Sequence, residues 1–149
     1  MSIEIKRITE ETFAEVEPLL AAYQRFYEVD DIDHERNREF FGRFVGSDHS
    51  GWLYGAWDGE RLVGFGCFYR HKSSLTATRT VLMNDLYVVE DARGRGIGRS
   101  LIETGLELTR ESGASCLEWS TAPDNHTAQA LYDSIGAEKS SWLEYELKA

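Results

Sequence analysis

The sequence predicts an α/β fold, a mixed and mostly antiparallel sheet flanked by helices on both faces, in a single domain over residues 1–149. Three observations predict it. Strand-like and helix-like apolar periods follow one another in the order β-α-α-β-β-β-α-β-α-β. The central three strands run consecutively as a meander. A glycine-rich stretch then stands between the last of these strands and an amphipathic helix, where backbone N–H groups can gather around an anion.

Each element has its own signal. The opening IEIKRI alternates as a strand does. Thr9 reads as a helix N-cap, with Glu10 and Glu11 in the first turn complementing the helix dipole. Phe13, Val16, Leu20, Tyr23 and Tyr27 then line one helical face. Pro18, lacking a backbone N–H, is expected to bend or restart that helix. The acidic EVDDID leads to a second helix around residues 35–45. WLYGAW and LVGFGCFYRH are strands joined at Asp58-Gly59, a hairpin signal. TVLMNDLYVV, residues 80–89, is the third strand of the meander. The helix opened by the glycine stretch has Ile97, Leu101, Ile102, Leu106 and Leu108 as its apolar side. SCLEWS, residues 115–120, is a short strand. A last helix starts near Asn125 with Ala128, Leu131, Tyr132 and Ile135 inward, and Gly136 ends it as a C′ residue. The tail, residues 139–147, is strand-like.

Composition bounds the function. Sixteen basic against 26 acidic residues give a net charge of −10. That balance argues against a grip on nucleic acid, where phosphate neutralisation dominates affinity. It suits a cationic ligand, and it equally serves solubility alone. No run reaches the roughly 18–20 apolar residues that span a bilayer, so no membrane partner is expected. The opening residues lack a basic and then apolar leader, so the cytoplasm is the expected location. The two cysteines, Cys67 and Cys116, lack CxxC spacing and are expected reduced and buried. The four histidines show no metal-ligand spacing, and no metal is assigned.

Residues 93–99, RGRGIGR, are the densest cluster of positive charge and bare backbone in the chain. Two nucleotide templates fail on spacing. A Walker loop, GxxxxGK followed by Ser or Thr, is one residue too long for this stretch and needs a lysine where Arg99 stands. A dinucleotide GxGxxG needs glycine at position 99 and belongs in a first βα unit. A third template, Arg or Gln followed by xxGxG, is matched by Arg93-Gly-Arg-Gly96-Ile-Gly98. Successive N–H groups at a helix N-terminus converge there, and glycine lets a pyrophosphate approach the backbone. On this motif alone, a glycine-rich turn with solvated arginines remains the other reading.

Two separated segments, NDLYVVEDARGRGIG and DNHTAQALYDSIGA, together with the element order between them, resemble the GNAT superfamily of N-acetyltransferases over nearly the whole chain. YQRFYE, NDLYV and NHTAQALY look most like the branch of fungal histone and polyamine acetyltransferases, and the YE of the first helix region is shared with the diamine acetyltransferases. The resemblance implies a GNAT fold and acetyl-CoA as co-substrate. It implies that Arg93, Gly94, Arg95, Gly96, Ile97, Gly98 and Arg99 hold the CoA phosphates. Leu86, Tyr87 and Val88 would pair with the pantetheine arm through their backbone, with the Val88 N–H polarising the acetyl carbonyl. Asn125 and Ala128 would contact the same arm. Tyr132, seven residues after Asn125, would stand beside the sulfur as general acid. The resemblance also implies a homodimer paired through C-terminal strands; for the aromatic tail SWLEYEL, packing as a terminal core strand is the alternative.

Acetyl transfer to an amine needs a proton acceptor, because an alkylammonium of pKa about 10.4 is under roughly 0.1% neutral at pH 7. Diamine acetyltransferases have a Glu-Asp pair where this chain has Asn84-Asp85. Asp85 is therefore one candidate base, and Glu118 acting through water is the other. Strand alternation sends Asn84 and Asp85 to opposite faces unless a bulge re-aims one. Tyr27, Glu28, Asp30, Asp31 and Asp33 could receive a cationic acceptor or form a solvated loop. Trp119 could wall the amine site by cation–π contact or belong to the core. The expected activity is direct transfer from acetyl-CoA to a primary amine in a ternary complex. The acceptor would be a polyamine, an amino acid or a lysine side chain of a basic peptide. An acyl-CoA-binding sensor without turnover is the alternative.

Overall fold

The computed structural model describes residues 2–149. Its strands are β1 (Ile3–Arg7), β2 (Gly51–Asp58), β3 (Arg61–Ser73), β4 (Thr78–Val88) and β5 (Leu117–Glu118). Its helices are α1 (Phe13–Phe26), α2 (His34–Gly42), α3 (Ile97–Glu111) and α4 (His126–Ser134), with a 3-10 turn over Glu90–Ala92. The strands lie in the order β1-β2-β3-β4-β5, antiparallel except for the parallel pair β4–β5. The expected mixed, mostly antiparallel sheet is therefore present. α1 and α2 cover one face through Phe13, Val16, Leu20 and Phe41 against Leu53, Phe65 and Cys67. α3 covers the other through Ile102 and Leu108 against Trp52, Phe68 and Val81. Phe68 is fully buried, and a Cβ on Gly105 of α3 would collide with its ring. Glycine there lets the helix lie against the sheet.

Four local expectations are corrected. α1 begins at Phe13, not after Thr9: Thr12 is its N-cap, and Thr9 and Thr12 form a separate turn, with the Thr9 N–H donating to Thr12 Oγ1 at 2.9 Å. Pro18 lies within α1 without interrupting it. Leu106 is exposed, and Gly105 takes its place on the buried side of α3. Cys116 is exposed where burial was expected, while Cys67 is buried.

The largest correction is at the C-terminus. No strand forms over 139–147, and Trp142, Leu143, Tyr145 and Leu147 are all at least 80% exposed. Alternation makes a strand only where a neighbour supplies a ladder, and the two residues of β5 offer almost none. Ser120 Oγ meets Glu144 Oε1 at 3.1 Å, a polar tether for the tail.

Two irregularities in the sheet create openings on its two faces. β5 pairs only with Val81 and Leu82, so β4 has an open edge from Met83 onward. In the β3–β4 ladder Cys67 faces Asp85 but Phe68 faces Met83, which leaves Asn84 as the extra residue of a β-bulge. The bulge resets the pleat and turns Asp85 to the α1 face, beside Cys67.

Candidate active site

The glycine stretch folds as an open cradle. Gly94 and Gly96 both have φ of +79°, a left-handed conformation that glycine adopts without steric cost. Gly96 is the N-cap of α3, and the first helical bond runs from the Ser100 N–H to the Gly96 carbonyl at 3.0 Å. The N–H groups of Ile97, Gly98 and Arg99 therefore have no intrahelical acceptor and sit at the positive end of the α3 dipole. A Cβ at Gly94 or Gly96 would meet no atom within 4 Å, so the space beside the backbone is open there. The same atom at Gly98 would lie 3.5 Å from Leu131, in ordinary contact with α4.

The three arginines are less free than their spacing suggests. Arg93 Nε donates to the Val88 carbonyl at 2.8 Å, and its guanidinium lies over the rings of Phe26 and Tyr87. Arg95 pairs with Asp58 at 3.0 Å, and Arg99 with Glu103 at 3.2 Å. Arg93 and Arg95 brace the loop against its neighbours. Arg99 is in an exposed pair that costs little to break. Backbone N–H groups, more than side chains, make this end of the protein attractive to anions.

A cleft of about 210 Å³ opens where β4 and β5 part. Met83, Asn84 and Leu86 line one side, Trp119 to Ala122 the other, and Tyr23, Tyr27 and Tyr132 close it. The Val81 N–H donates to the Cys116 carbonyl, and the Val89 N–H donates in the opposite direction to Val63. Alternation, reset by the bulge, aims the N–H groups of Leu86 and Val88 at the open edge. An extended chain bearing a carbonyl can pair there. Tyr132 packs edge-on against Trp119, with ring centroids 5.2 Å apart. Burial raises the Tyr132 phenol above its usual pKa, the neighbouring Tyr27 adds to this, and the Thr121 hydroxyl opposes it. The ring is held near the cleft with its proton in place. Asn125 is the N-cap of α4: its side chain accepts from the Ala128 N–H at 3.2 Å, which orients the helix carrying Tyr132.

A second cavity of about 290 Å³ lies on the α1 face. It shares Tyr23 and Asn84 with the first, and Asp85 is in its wall. Asp85 is 6% exposed, and its Oδ2 has no hydrogen-bond partner among the described residues. The Asn84 amide donates to Oδ1 at 3.2 Å. Burial pushes the Asp85 carboxyl above the ordinary carboxylate range, while the neighbouring Tyr23, Asn84 and Cys67 pull it down in part. The same burial raises the Tyr23 and Tyr69 phenols and the Cys67 thiol, so these groups hold their protons around it.

Not every predicted residue reaches these cavities. Glu118 lines neither; it pairs with His71 at 3.3 Å on the rim of the sheet. Glu28 sits at φ +59° just beyond α1 and also lines neither. Asp33 caps α2 by accepting from the Arg36 N–H at 3.0 Å, and Asp31 pairs with Arg36 at 3.2 Å. The acidic segment therefore organises the start of α2. Tyr27 and Trp119 do line the first cleft. Sequence reasoning missed Gln24, Arg36, Asn37 and Tyr69, which line the second cavity. Tyr23 was legible only as part of an apolar face, and the others carry no local signal. Among the described residues, no group of three or more metal-ligating side chains occurs, and no helix is long and apolar enough to cross a membrane.

A splayed parallel strand pair beside a glycine-rich helix N-terminus leaves free backbone N–H groups for an extended ligand that ends in an anion. Residues 13–137 match the acetyltransferase (GNAT) family model. The chain is 38% identical over 97 residues to the D-amino-acid N-acetyltransferase HPA3 of Saccharomyces cerevisiae, a match that covers 64% of this chain and 60% of that protein. It is 30% identical over 127 residues to the uncharacterized N-acetyltransferase YhfO of Bacillus subtilis, covering 85% and 83%. The crystal structure of a probable acetyltransferase superposes with a TM-score of 0.84 at 32% identity, covering all of this chain and 98% of that one. The chain belongs to the GNAT family of acetyltransferases, a class that uses acetyl-CoA.

Proposed function

We propose that this protein transfers the acetyl group of acetyl-CoA directly to a primary amine in a ternary complex. The observation that carries the reading is the meeting of two cavities at Asn84 and Tyr23. One lies in the strand splay beside Tyr132, and the other holds a buried carboxyl with an unpartnered oxygen. Acetyl-CoA supplies a thioester as the activated acyl group. In this reading the backbone of residues 94–99 binds its phosphates, and Leu86 to Val88, Asn125 and Ala128 hold the pantetheine arm. The Val88 N–H polarises the acetyl carbonyl. Asp85 accepts the ammonium proton, and its raised pKa makes it a stronger base than an exposed carboxylate. Tyr132 keeps its proton at Oη for the departing thiolate.

The test is thiol release from acetyl-CoA against a panel of spermidine, free amino acids of both configurations and a basic peptide. The name of the yeast relative brings D-amino acids into that panel. Acceptor-dependent release is expected; CoA binding without release by any amine would overturn the reading. The comparisons lend no support to a sensor without turnover. Tyr132→Phe is expected to lower kcat by roughly 100-fold, the scale of one general acid, with CoA affinity nearly unchanged. A wild-type rate would remove Tyr132 from the mechanism.

We read residues 1–149 as one cytoplasmic domain. Two copies pair through the exposed apolar side chains of the tail, which a monomer leaves in water. Sedimentation of the full chain against a variant with Trp142, Leu143 and Tyr145 changed to serine should show a dimer becoming a monomer. A monomeric parent protein would refute the pairing.

A further inference from the structure

We propose that the second cavity binds a free amino acid with an apolar or aromatic side chain, and that Arg36 anchors its carboxylate. The proposal rests on the acetyltransferase reading and narrows its acceptor. Asp85 lines this cavity, and its buried Oδ2, the complement of an amine N–H, has no hydrogen-bond partner among the described residues. A buried acceptor left unpaired costs free energy until a donor arrives. Arg36 lines the same cavity, its guanidinium paired with Asp31 and Asp33. An amino acid carries both complementary charges, and a polyamine carries only one of them.

The surrounding groups point the same way. A polyamine needs several ionised carboxylates, whereas among the described residues Asp85 is the only acidic side chain in the wall of this cavity. Asp31 and Asp33, the acidic residues paired with Arg36, are engaged there and at the N-terminus of α2. Arg36 uses Nη1 toward Asp31 Oδ2 at 3.2 Å and Nη2 toward the Asp31 carbonyl at 2.7 Å. Its Nε makes no hydrogen bond among the described residues, and the Asp31 side chain is 83% exposed. Such an exposed pair is weak, so an incoming carboxylate can share or replace it on the planar fork. Gln24 and Asn37 bond each other reciprocally, at 2.8 and 2.7 Å, which fixes the α1–α2 gap. Their amides are spent on each other, leaving Arg36 and Asp85 as the charge-bearing contacts. Tyr23, Phe40 and Tyr69 supply ring surface for an apolar side chain. At about 290 Å³ the cavity is at the small end of ligand sites, sized for an amino acid.

The experiment measures thiol release and calorimetric binding on the full, CoA-loaded chain. Its ligands are phenylalanine of each configuration, phenylalaninamide, which lacks the carboxylate, and spermidine. Wild type should favour phenylalanine of one configuration over the matching amide by at least roughly tenfold in kcat/KM. Arg36→Gln should lower the amino acid's value by roughly ten- to a hundredfold, chiefly through KM, the scale of a charged hydrogen-bonded pair. The same change should leave the amide and the CoA affinity unmoved, and Arg36→Lys should restore part of the loss. Equal use of amide and acid, or equal losses on both in Arg36→Gln, would overturn the proposal. Release with spermidine but no binding of phenylalanine would refute it while leaving the acetyltransferase reading intact. Arg36-dependent binding of phenylalanine without release by any amine would support the amino-acid site and refute turnover.

Discussion

Asp85→Asn is expected to abolish amine-dependent thiol release while making the folded protein more stable at neutral pH. The first effect follows from its proposed role as the base of the second cavity, and a lost general base costs roughly 100- to 10,000-fold. The second follows from linkage. Burial raises the folded-state pKa of Asp85 above its value in the unfolded chain, about 3.9 for a free aspartate. The folded state therefore binds this proton more tightly than the unfolded state does. Below the unfolded pKa both states are protonated and the carboxyl costs nothing. As pH rises toward the folded pKa, stability falls, and above it the full penalty remains. Asparagine has no such titration. Thermal melts should show the variant ahead of wild type by a few degrees at pH 7–8, with the gap closing near pH 4. A wild-type rate would dismiss Asp85 as the base. A melting gain equal at both pH values would show that its cause is not the carboxyl charge.

Gly96→Glu is expected to remove detectable CoA binding and leave a folded protein. The site has φ of +79°, where any side chain is strained by roughly 1–2 kcal/mol. That cost alone does not unfold a domain of this size. The carboxylate, however, would project into the open concavity and repel the phosphates at the N-terminus of α3. Gly96→Asn separates the two effects, because asparagine tolerates the left-handed conformation and is neutral. Calorimetry with CoA should give a much larger loss for the glutamate than for the asparagine, with both showing cooperative melts. Normal CoA binding by Gly96→Glu would place the phosphates elsewhere.

What could be read from the sequence was what local chemistry decides. The RGRGIG spacing, the Asn125 cap and the Gly136 terminator act within a few residues, and the cradle and α4 stand where they indicate. Thr9 and Thr12 both have cap chemistry, and which one begins α1 depends on how the preceding turn closes. The tail alternates as convincingly as β1 does, but a strand is made by its neighbour. The second cavity was the least legible part. Arg36, Asn37, Tyr69 and Asp85 come from α2, β3 and β4, and nothing in their own surroundings marks them as partners. The Asn84-Asp85 pair shows the limit most clearly. Alternation sends the two to opposite faces, and only the cross-strand register, Cys67 to Asp85 and Phe68 to Met83, reveals that Asn84 is left unpaired between them.

That extra residue works as a parity switch. Side chains on a pleated strand take one of two values, this face or that, and a single insertion inverts every value downstream. Asp85 and Tyr87 are on the α1 side and Leu86 on the α3 side because Asn84 is counted but not paired. Substitutions along β4 can alter the strength of the acid or the shape of the cleft. Deleting Asn84 would close the bulge and keep the faces, whereas pairing Asn84 into the ladder would exchange them and present the carboxyl to the α3 side. In this fold the division between the two cavities is held by which residue stays unpaired as much as by residue identity.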